Sequence, residues 1–315
     1  MNPLRIVFCG TPEFAVPSLR QFINDSQFEI LAVITQPDRA RGRGQRIAIS
    51  PVKRAALSAN IPVHQPEKIR NPEVEALLQD LAPDAIAIIA YGQIVPARLL
   101  GIPKLGWINL HASLLPEYRG AAPIAWAIAK GETRTGVTTM RIDAGMDTGE
   151  MLLQKETEIG PEETAPELSA RLAQMGAPLM LETLQGVDAG RIKPKAQAHA
   201  EATLAPMLEK EDGRIEWTRT AQEIFNRMRG FAPWPGAYTH FRGQVCHLWG
   251  KPARGPGGAA APGTLRPVET DLFVSCGSGT LLKLERVKLE GRKEVSAAEF
   301  ARGARIGEDE RFASE

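Results

Sequence analysis

Two short polar clusters in this sequence supply the residue types that acyl transfer requires. Asn109 and His111 end an apolar run that begins at Trp107, and a glycine-rich turn carries Asp143 and Asp147. Alternate residues of a strand share one face, so Asn109 and His111 would lie about 7 Å apart on one side. A carboxamide can donate to an oxyanion, an imidazole can move a proton, and a carboxylate can orient the imidazole. The pattern predicts acyl-transfer chemistry, although a buried polar pair and an Asx-type turn at Asp143 are structural alternatives.

Two further segments lie where predicted strands end. Residues 10–14, GTPEF, follow the first strand and lead into a helix, without the GxGxxG fingerprint of dinucleotide-binding proteins. Residues 38–46, DRARGRGQR, alternate arginine with glycine and are followed by Lys53 and Arg54. A flexible loop of one charge sign suits a phosphate backbone. The alternatives are an ordinary strand-to-helix turn and a solvated charged loop.

Composition excludes several classes of protein. The 315 residues carry a formal net charge of +1, which excludes a strongly basic nucleic-acid coat and allows a local basic patch. There is no run of 18 apolar residues, so no membrane span is expected. The three cysteines and five histidines are scattered, without the spacing of a disulfide framework or a metal site. With a strand-like run at 4–8 and no signal-peptide pattern, we expect a bacterial cytoplasmic protein.

The elements that must position these residues alternate between strands and helices in the first half of the chain. Strands are predicted at 4–9, 29–35, 84–90, 107–111, 136–143 and 150–158, and helices at 16–24, 51–58, 72–81, 124–130 and 162–184. The continuous apolar run DAIAIIA at 84–90 is typical of a parallel strand buried on both faces. The alternation predicts an α/β fold with an open, doubly wound, parallel-rich sheet, which binds ligands beyond the carboxyl ends of its strands.

The second half has a different texture. Residues 186–205 contain glycine, proline and few periodic apolar positions, which predicts an extended linker. A short helix at 222–229 is followed by strands at 237–241, 244–250, 272–276 and 280–289, with a low-complexity loop at 251–263. We therefore predict a catalytic domain at 1–189, a linker at 190–208 and a small β-barrel domain at 209–315.

The order of several motifs resembles that of the folate-dependent formyltransferases. The motifs are GTPEFAVPSL, TQPDR…GRG…SPVK, AYGQIVP, INLHASLLPEYRGAAPI, GVTTMRIDAGMDTG, KEDGRIEW and FAPWPGAY. They span the whole chain. The basic loop at 38–46 and the late motif FAPWPGAY narrow the resemblance to the members that act on a charged tRNA. The resemblance implies a Rossmann-like catalytic domain, a linker and a C-terminal OB-like domain that binds tRNA.

The resemblance also implies roles for individual residues. Asn109, His111 and Asp147 match the catalytic positions of the family. The cosubstrate segments are Tyr91, Gly92, Gln93 and Ile94, whose backbone reads the pterin edge, and Ser113, Leu114, Leu115 and Pro116. Arg43 matches the arginine that enters the acceptor-stem region, Arg41 adds a charge beside it, and Thr11 and Phe14 are expected to line the methionine pocket. The chain departs from the family pattern at two positions. Arg41 adds a charge to the basic loop, and Glu117 stands where the family often has a basic residue; both departures concern surface contacts.

The implied reaction takes 10-formyltetrahydrofolate as a consumed cosubstrate and initiator methionyl-tRNA as the acceptor. No metal, membrane or obligate protein partner is implied, and a monomer is expected. A sugar-nucleotide formyltransferase acting on UDP-4-amino-arabinose would share Asn109, His111 and Asp147, so it remains an alternative. A catalytically silent tRNA- or folate-binding protein is another alternative. The missing glycine fingerprint opposes a third, a nicotinamide-dependent dehydrogenase.

Overall fold

The computed structural model describes residues 2–41, 46–254, 260–307 and 310–313, with the backbone alone at 40, 41, 46 and 47. Its contacts form two compact units: Met1–Pro123, Arg134–Glu158 and Leu168–Pro206 in the first, and Ile124–Thr133, Ile159–Glu167 and Met207–Glu315 in the second. The predicted boundaries at 189 and 208 cut the chain into consecutive segments, whereas each of these units contains three separate segments. Residues up to 206 group with the first unit because they hydrogen-bond to its backbone, through the bridges Met151–Lys195 and Arg119–Leu204.

The elements up to residue 188 follow the predicted alternation. They are β1 (Leu4–Gly10), α1 (Val16–Asn24), β2 (Phe28–Ile34), β3 (Arg39–Arg41), β4 (Arg46–Ala48), α2 (Pro51–Ser58), β5 (Val63–His64), α3 (Pro72–Leu81), β6 (Ala85–Ile89), α4 (Ala97–Leu100), β7 (Trp107–His111), α5 (Pro123–Lys130), β8 (Arg134–Arg141), β9 (Met151–Glu158) and α6 (Ala165–Asp188). The sheet has the order β5-β2-β1-β6-β7-β8-β9. Its first five strands pair in parallel, while β8 and β9 are antiparallel.

This sheet confirms the predicted Rossmann-like class. Every residue of β6 is buried, as expected for a central parallel strand that is covered on both faces. From β1 the chain adds β2 and β5 on one side of the sheet and β6 and β7 on the other. The order therefore reverses between β1 and β6, and a crevice for ligands is expected at their carboxyl ends.

The flanks of the predicted basic loop form a hairpin. Strands β3 and β4 pair antiparallel, with Arg41 opposite Arg46, so residues 38–46 are not a loop throughout. At the base of this hairpin, the carboxylate of Asp38 accepts hydrogen bonds from the Lys53 ammonium and from the Gln65 amide. These two bonds hold the pKa of the Asp38 carboxyl below its usual range. Residues 42–45, and with them Arg43, lie outside the described residues.

The C-terminal part is a separate antiparallel β domain, as predicted. It contains α7 (Ala221–Gly230), β10 (Tyr238–Phe241), β11 (Gln244–Ala253), β12 (Leu265–Val268), β13 (Asp271–Ser275), β14 (Leu281–Leu289), β15 (Val295–Ser296) and α8 (Ala297–Ala304). The sheet order is β10-β11-β14-β13-β12, with β15 on β14. The C-terminal segment bridges to β10 through His240 and Ala313, and to the residue before β12 through Thr264 and Arg311. It thus touches both edges of the sheet, which suits an OB-like barrel.

None of the helices described is long and apolar enough to cross a membrane. No group of three or more histidine, cysteine, aspartate or glutamate side chains is placed to hold a metal ion, within the described ranges.

Candidate functional site

His111 is the last residue of β7, and its side chain is buried with 5% of its surface exposed. Its Nε2 lies 2.9 Å from the carbonyl oxygen of Tyr118, and its Nδ1 lies 3.7 Å from Asp147 Oδ2. A carbonyl oxygen can only accept, so Nε2 must carry a proton. In the neutral imidazole, Nδ1 is then the nitrogen with a free lone pair.

Asp147 reaches His111 by a route that the sequence pattern does not show. Strand β8 runs antiparallel to β7 and pairs Arg141 with Ile108, so β8 ends about 10 Å from the level of His111. The turn after β8 brings Asp147 back to the imidazole. Its backbone is left-handed, with φ of +53°, and its Oδ2 accepts a 2.9 Å hydrogen bond from the Gly120 amide.

The second acid of the turn has a structural role. Asp143 accepts hydrogen bonds from the Gly145 amide at 3.0 Å and from the Thr148 hydroxyl at 2.7 and 2.9 Å. This is the Asx-type arrangement that the sequence left open as an alternative for Asp143. Of the two carboxylates in the turn, Asp147 faces the histidine and Asp143 shapes the loop that carries Asp147.

Asn109 lies two residues before His111 on β7 and is half-buried. Its backbone is fixed on both sides, because it pairs with Ile88 of β6 and with Met140 of β8. Its carboxamide has no hydrogen-bond partner among the residues that the structure describes. This side chain is therefore free to donate to a ligand from a rigid strand.

The segment from Ser113 to Pro116 is held against β8 and β9. The Thr138 hydroxyl donates to Ser113 O at 2.7 Å and accepts from the Leu115 amide at 3.1 Å, while Gln154 donates to Leu115 O at 2.9 Å. The Ser113 hydroxyl donates to the Glu117 carbonyl at 2.6 Å. These polar groups are occupied within the protein, and Leu114 and Pro116 of the same segment are half-buried.

The other predicted cosubstrate segment lies beyond β6. The Tyr91 side chain is buried in the core, and this burial raises the pKa of its phenol. Its carbonyl accepts hydrogen bonds from Thr11 Oγ1 at 3.3 Å and from Gln36 Nε2 at 3.0 Å. Gly92, with φ of +84°, turns the chain away from the strand.

A cavity of about 180 Å³ joins this second segment to the acidic turn. Its lining residues are Gln93, Ile94, Val95, Met140 and the run from Ile142 to Asp147. Ile94 is 81% exposed and Gln93 is fixed because its Oε1 accepts from the Ile69 amide at 2.7 Å. The structure thus places the predicted residues Gln93 and Ile94 beside the predicted residue Asp147.

The remaining predicted residues are placed as follows. Thr11 lies at the reversal point of the sheet, hydrogen-bonded to Tyr91, and Phe14 is half-buried in a single 3₁₀ turn at Glu13–Ala15. Arg41 is described by its backbone alone, in β3. Sequence reasoning missed the residues that hold the site together: Tyr118, Gly120, Thr138, Gln154 and, 50 residues beyond Asp147, Gln197. Three of them carried a signal, because Tyr118 and Gly120 lie in the motif INLHASLLPEYRGAAPI and Thr138 lies in the motif GVTTMRIDAGMDTG.

Comparisons with known proteins agree across both units. Residues 4–184 match the family model "Formyl transferase", and residues 207–305 match "Formyl transferase, C-terminal domain". A protein of Solibacter usitatus named methionyl-tRNA formyltransferase is 54% identical over 309 residues, covering 98% of each chain. Proteins of the same name are 54% identical in Koribacter versatilis, covering 95% of this chain and 96% of the relative, and 49% identical in Geobacter sulfurreducens, covering 97% and 96%.

Solved structures share the fold at lower identity. A sugar 3N-formyl transferase, WlaRD, solved in the presence of dTDP and 5-N-formyl-THF, has a TM-score of 0.66 at 20% identity. The match covers 92% of this chain and 99% of that chain. An N-formyltransferase from Helicobacter canadensis has a TM-score of 0.64 at 19% identity, covering 89% and 98%. At these identities the similarity establishes the fold.

The hydrogen bond to Tyr118 leads to a prediction about the protonation of His111. When neutral, His111 should be the Nε2–H tautomer, because the Tyr118 carbonyl can accept a proton and cannot donate one. Long-range ¹H–¹⁵N correlation spectra of histidine-labelled protein measure this directly. The tautomer should persist in Asp147→Ala, which leaves the Tyr118 carbonyl in place. A neutral Nδ1–H form of His111 would contradict the assignment.

Proposed function

The chain belongs to the formyl transferase family, and we propose that it transfers the formyl group of 10-formyltetrahydrofolate to the α-amino group of methionine on initiator methionyl-tRNA. The products are N-formylmethionyl-tRNA and tetrahydrofolate, and the reaction serves translation initiation. The observation that carries the proposal is similarity along the whole chain, at 54% identity and 98% coverage, to a relative named for this reaction. The placement of Asn109, His111 and Asp147 is consistent with it.

The proposed chemistry begins with attack by the neutral methionyl amine on the formyl carbon. An α-amine with a pKa near 8 is partly neutral at physiological pH. The Asn109 amide donates to the oxyanion that develops on the formyl oxygen. His111 takes the proton that the amine loses and returns one to the departing N10 of the folate. Nδ1 is the nitrogen available for this relay, since Nε2 is engaged by Tyr118, and Asp147 stabilises the imidazolium.

We propose that the folate lies against the two cosubstrate segments. The cavity between Gln93, Ile94 and the acidic turn is next to Asp147 and has apolar walls at Val95, Met140 and Ile142. An aromatic ring with polar edges suits such a pocket, which offers backbone groups beside apolar side chains. The segment 113–116 would hold the folate from the β7 side, through Leu114 and Pro116. Thr11 and Phe14 remain our candidates for the methionine pocket.

The second domain is proposed to bind the tRNA, with the division at residues 189 and 208 as predicted. In its sheet, His247 of β11 pairs with Lys288 of β14, and Trp249 of β11 pairs with Arg286 of β14. The two pairs are two residues apart along each strand, so all four side chains lie on one face of the sheet. The Arg286 guanidinium lies 4.9 Å from the centre of the Trp249 ring. Cationic and aromatic side chains on one sheet face are what nucleic-acid-binding OB-like domains present. We further propose that the enzyme acts as a monomer in the bacterial cytoplasm.

The proposed function predicts which acceptor the purified protein will use. With 10-formyltetrahydrofolate, it should formylate charged initiator methionyl-tRNA and discriminate against charged elongator tRNA. The formylated product is measured directly, and UDP-4-amino-arabinose is offered as a competing acceptor in the same reaction. Formylation of the sugar nucleotide in preference to the tRNA would replace this proposal with the sugar alternative. Folate binding without formyl transfer to either acceptor would favour a silent binding protein.

A second prediction concerns the three residues at the end of β7 and in the acidic turn. Asn109→Ala, His111→Ala and Asp147→Ala should each lower kcat, by about 10²–10³-fold for the oxyanion donor Asn109. Because His111 and Asp147 act as one unit, the double variant should be scarcely worse than the poorer single variant. Steady-state kinetics on initiator methionyl-tRNA test this. Asp143→Asn serves as a control for the turn, and fully multiplicative losses for His111 and Asp147 would contradict a joint role.

A third prediction concerns Arg43, which lies between β3 and β4 in the sequence. Arginines alternating with glycines cost about 1–2 kcal/mol per residue to order, which charge-assisted contacts to the acceptor end must offset. Arg43→Leu should therefore lower kcat/KM on initiator methionyl-tRNA by roughly 10–100-fold and leave folate affinity unchanged. Arg39→Ala, at the exposed base of the hairpin, should mainly flatten the salt dependence of kcat/KM. Kinetics of Arg43→Leu like those of the wild type at every salt concentration would make the loop an ordinary charged turn.

A further inference from the structure

We propose that Gln197, in the segment that follows α6, is a positioning residue that holds His111 and Asp147 in their active arrangement. This inference rests on the proposed function, since it assigns a role in the same reaction. Gln197 is buried, with 5% of its surface exposed, within a stretch that the sequence pattern predicted to be an extended linker. A buried amide in such a stretch needs partners for all of its polar atoms.

The side-chain amide of Gln197 finds those partners in two catalytic segments. Its Oε1 accepts from Arg119 Nε at 3.0 Å and from Arg119 Nη2 at 2.6 Å. Its Nε2 donates to the carbonyl of Asp147 at 2.8 Å and to the carbonyl of Gly149 at 2.7 Å. Two acceptor sites and two donor sites are thereby used, so the amide is saturated.

The two ends of this amide reach the two sides of the imidazole. On one side, Arg119 lies between Tyr118, whose carbonyl accepts from His111 Nε2, and Gly120, whose amide donates to Asp147 Oδ2. On the other side, Asp147 faces His111 Nδ1. Gln197 therefore connects the chain segment at one ring nitrogen to the chain segment at the other. Replacing this amide would allow both segments to move relative to the ring.

Asp147 has a particular need for such support. Its left-handed backbone, at φ +53°, is uncommon outside glycine even though aspartate adopts it more readily than most residues, and surrounding contacts help to keep it. Its side chain is held by the Gly120 amide, and its carbonyl is held by Gln197. Without Gln197, relaxation of this backbone would turn the carboxylate away from His111.

Gln197 is itself held in place by the backbone around it. We call residues 195–205 the strap. At one end, Lys195 exchanges backbone hydrogen bonds of 2.8 Å with Met151. At the other, the Arg119 amide donates to Thr203 O at 2.9 Å, and the Ala205 amide donates to Arg119 O at 2.7 Å. Fixed at both ends, the strap presents Gln197 from a defined position.

The test compares Gln197→Met with Glu201→Gln, an exposed position on the same strap. Gln197→Met keeps the length of the side chain and removes all four hydrogen bonds. A displacement of about 1 Å in a catalytic group costs roughly 10²-fold in rate, so kcat should fall on that scale while KM for methionyl-tRNA changes little. Glu201→Gln should retain the wild-type kcat. Both are assayed well below their unfolding midpoints, so that loss of folded protein does not enter the rate.

A double-variant cycle separates positioning from general stability. Because Gln197 acts through the imidazole, adding Gln197→Met to His111→Ala should lower kcat very little further. Gln197→Glu adds a second measurement if the methionine variant does not fold. It keeps the acceptor for Arg119 but sets a carboxylate oxygen against the carbonyls of Asp147 and Gly149, so kcat should again fall.

The outcomes distinguish this inference from the proposed function. Wild-type protein that does not formylate methionyl-tRNA would overturn the proposed function, whatever the variants do. With an active wild type, an unchanged kcat in both Gln197 variants would overturn the positioning role. The positioning role would also be overturned if Gln197→Met lowered kcat by the same factor in the wild-type and His111→Ala backgrounds, since that pattern indicates a structural role alone.

Discussion

The arrangement of the site depends on one constraint: an imidazole buried at the end of β7 must have partners for its polar atoms. An unpaired polar group in the interior is costly, and His111 is only 5% exposed. The Tyr118 carbonyl satisfies Nε2, which leaves Nδ1 facing Asp147. The turn after β8 brings Asp147 to that nitrogen. Two hydrogen bonds hold Asp147 there, one from the Gly120 amide to its carboxylate and one from the Gln197 side chain to its carbonyl.

The sequence predicted the elements wherever a physical pattern was strong. The buried run DAIAIIA marked β6, and the bounds of α1, α2, α3 and β7 agree with the structure. Two-residue strands such as β5 and β15 contain too few residues to show any periodicity. Helix α8 was missed although Ser296 and Glu299 form a capping box at its start, since Phe300 is the one large apolar side chain among its eight residues.

The residues proposed to be catalytic stand out in the sequence and the residues that support them do not, because the supporting contacts join positions far apart along the chain. Asn109 and His111 are neighbours on one strand, where alternation alone places them on one side. The contacts of Asp147 with Gly120 and Gln197 join residues 27 and 50 positions apart, and no local pattern encodes such pairs. The antiparallel direction of β8 likewise follows from the sheet as a whole. The sequence identified a glycine-rich acidic turn, while its return path to His111 emerged only from the fold.

The polar groups around the site divide into those whose hydrogen bonds are occupied within the protein and one that is free, Asn109, which is proposed to act on the substrate. Four side chains donate hydrogen bonds to backbone carbonyls beside the site, and each fixes the segment that it contacts: Ser113, Thr138, Gln154 and Gln197. Asn109, in contrast, lies on a rigid strand with no partner for its amide in the described part of the chain. A donor that is free before substrate binds, and that cannot move far, needs little reorganisation when negative charge develops in front of it. The side chains whose hydrogen bonds are occupied thus hold the site rigid around the free amide of Asn109. This rigidity matters for the proposed reaction, because stabilisation of an oxyanion depends on donors that are already in place.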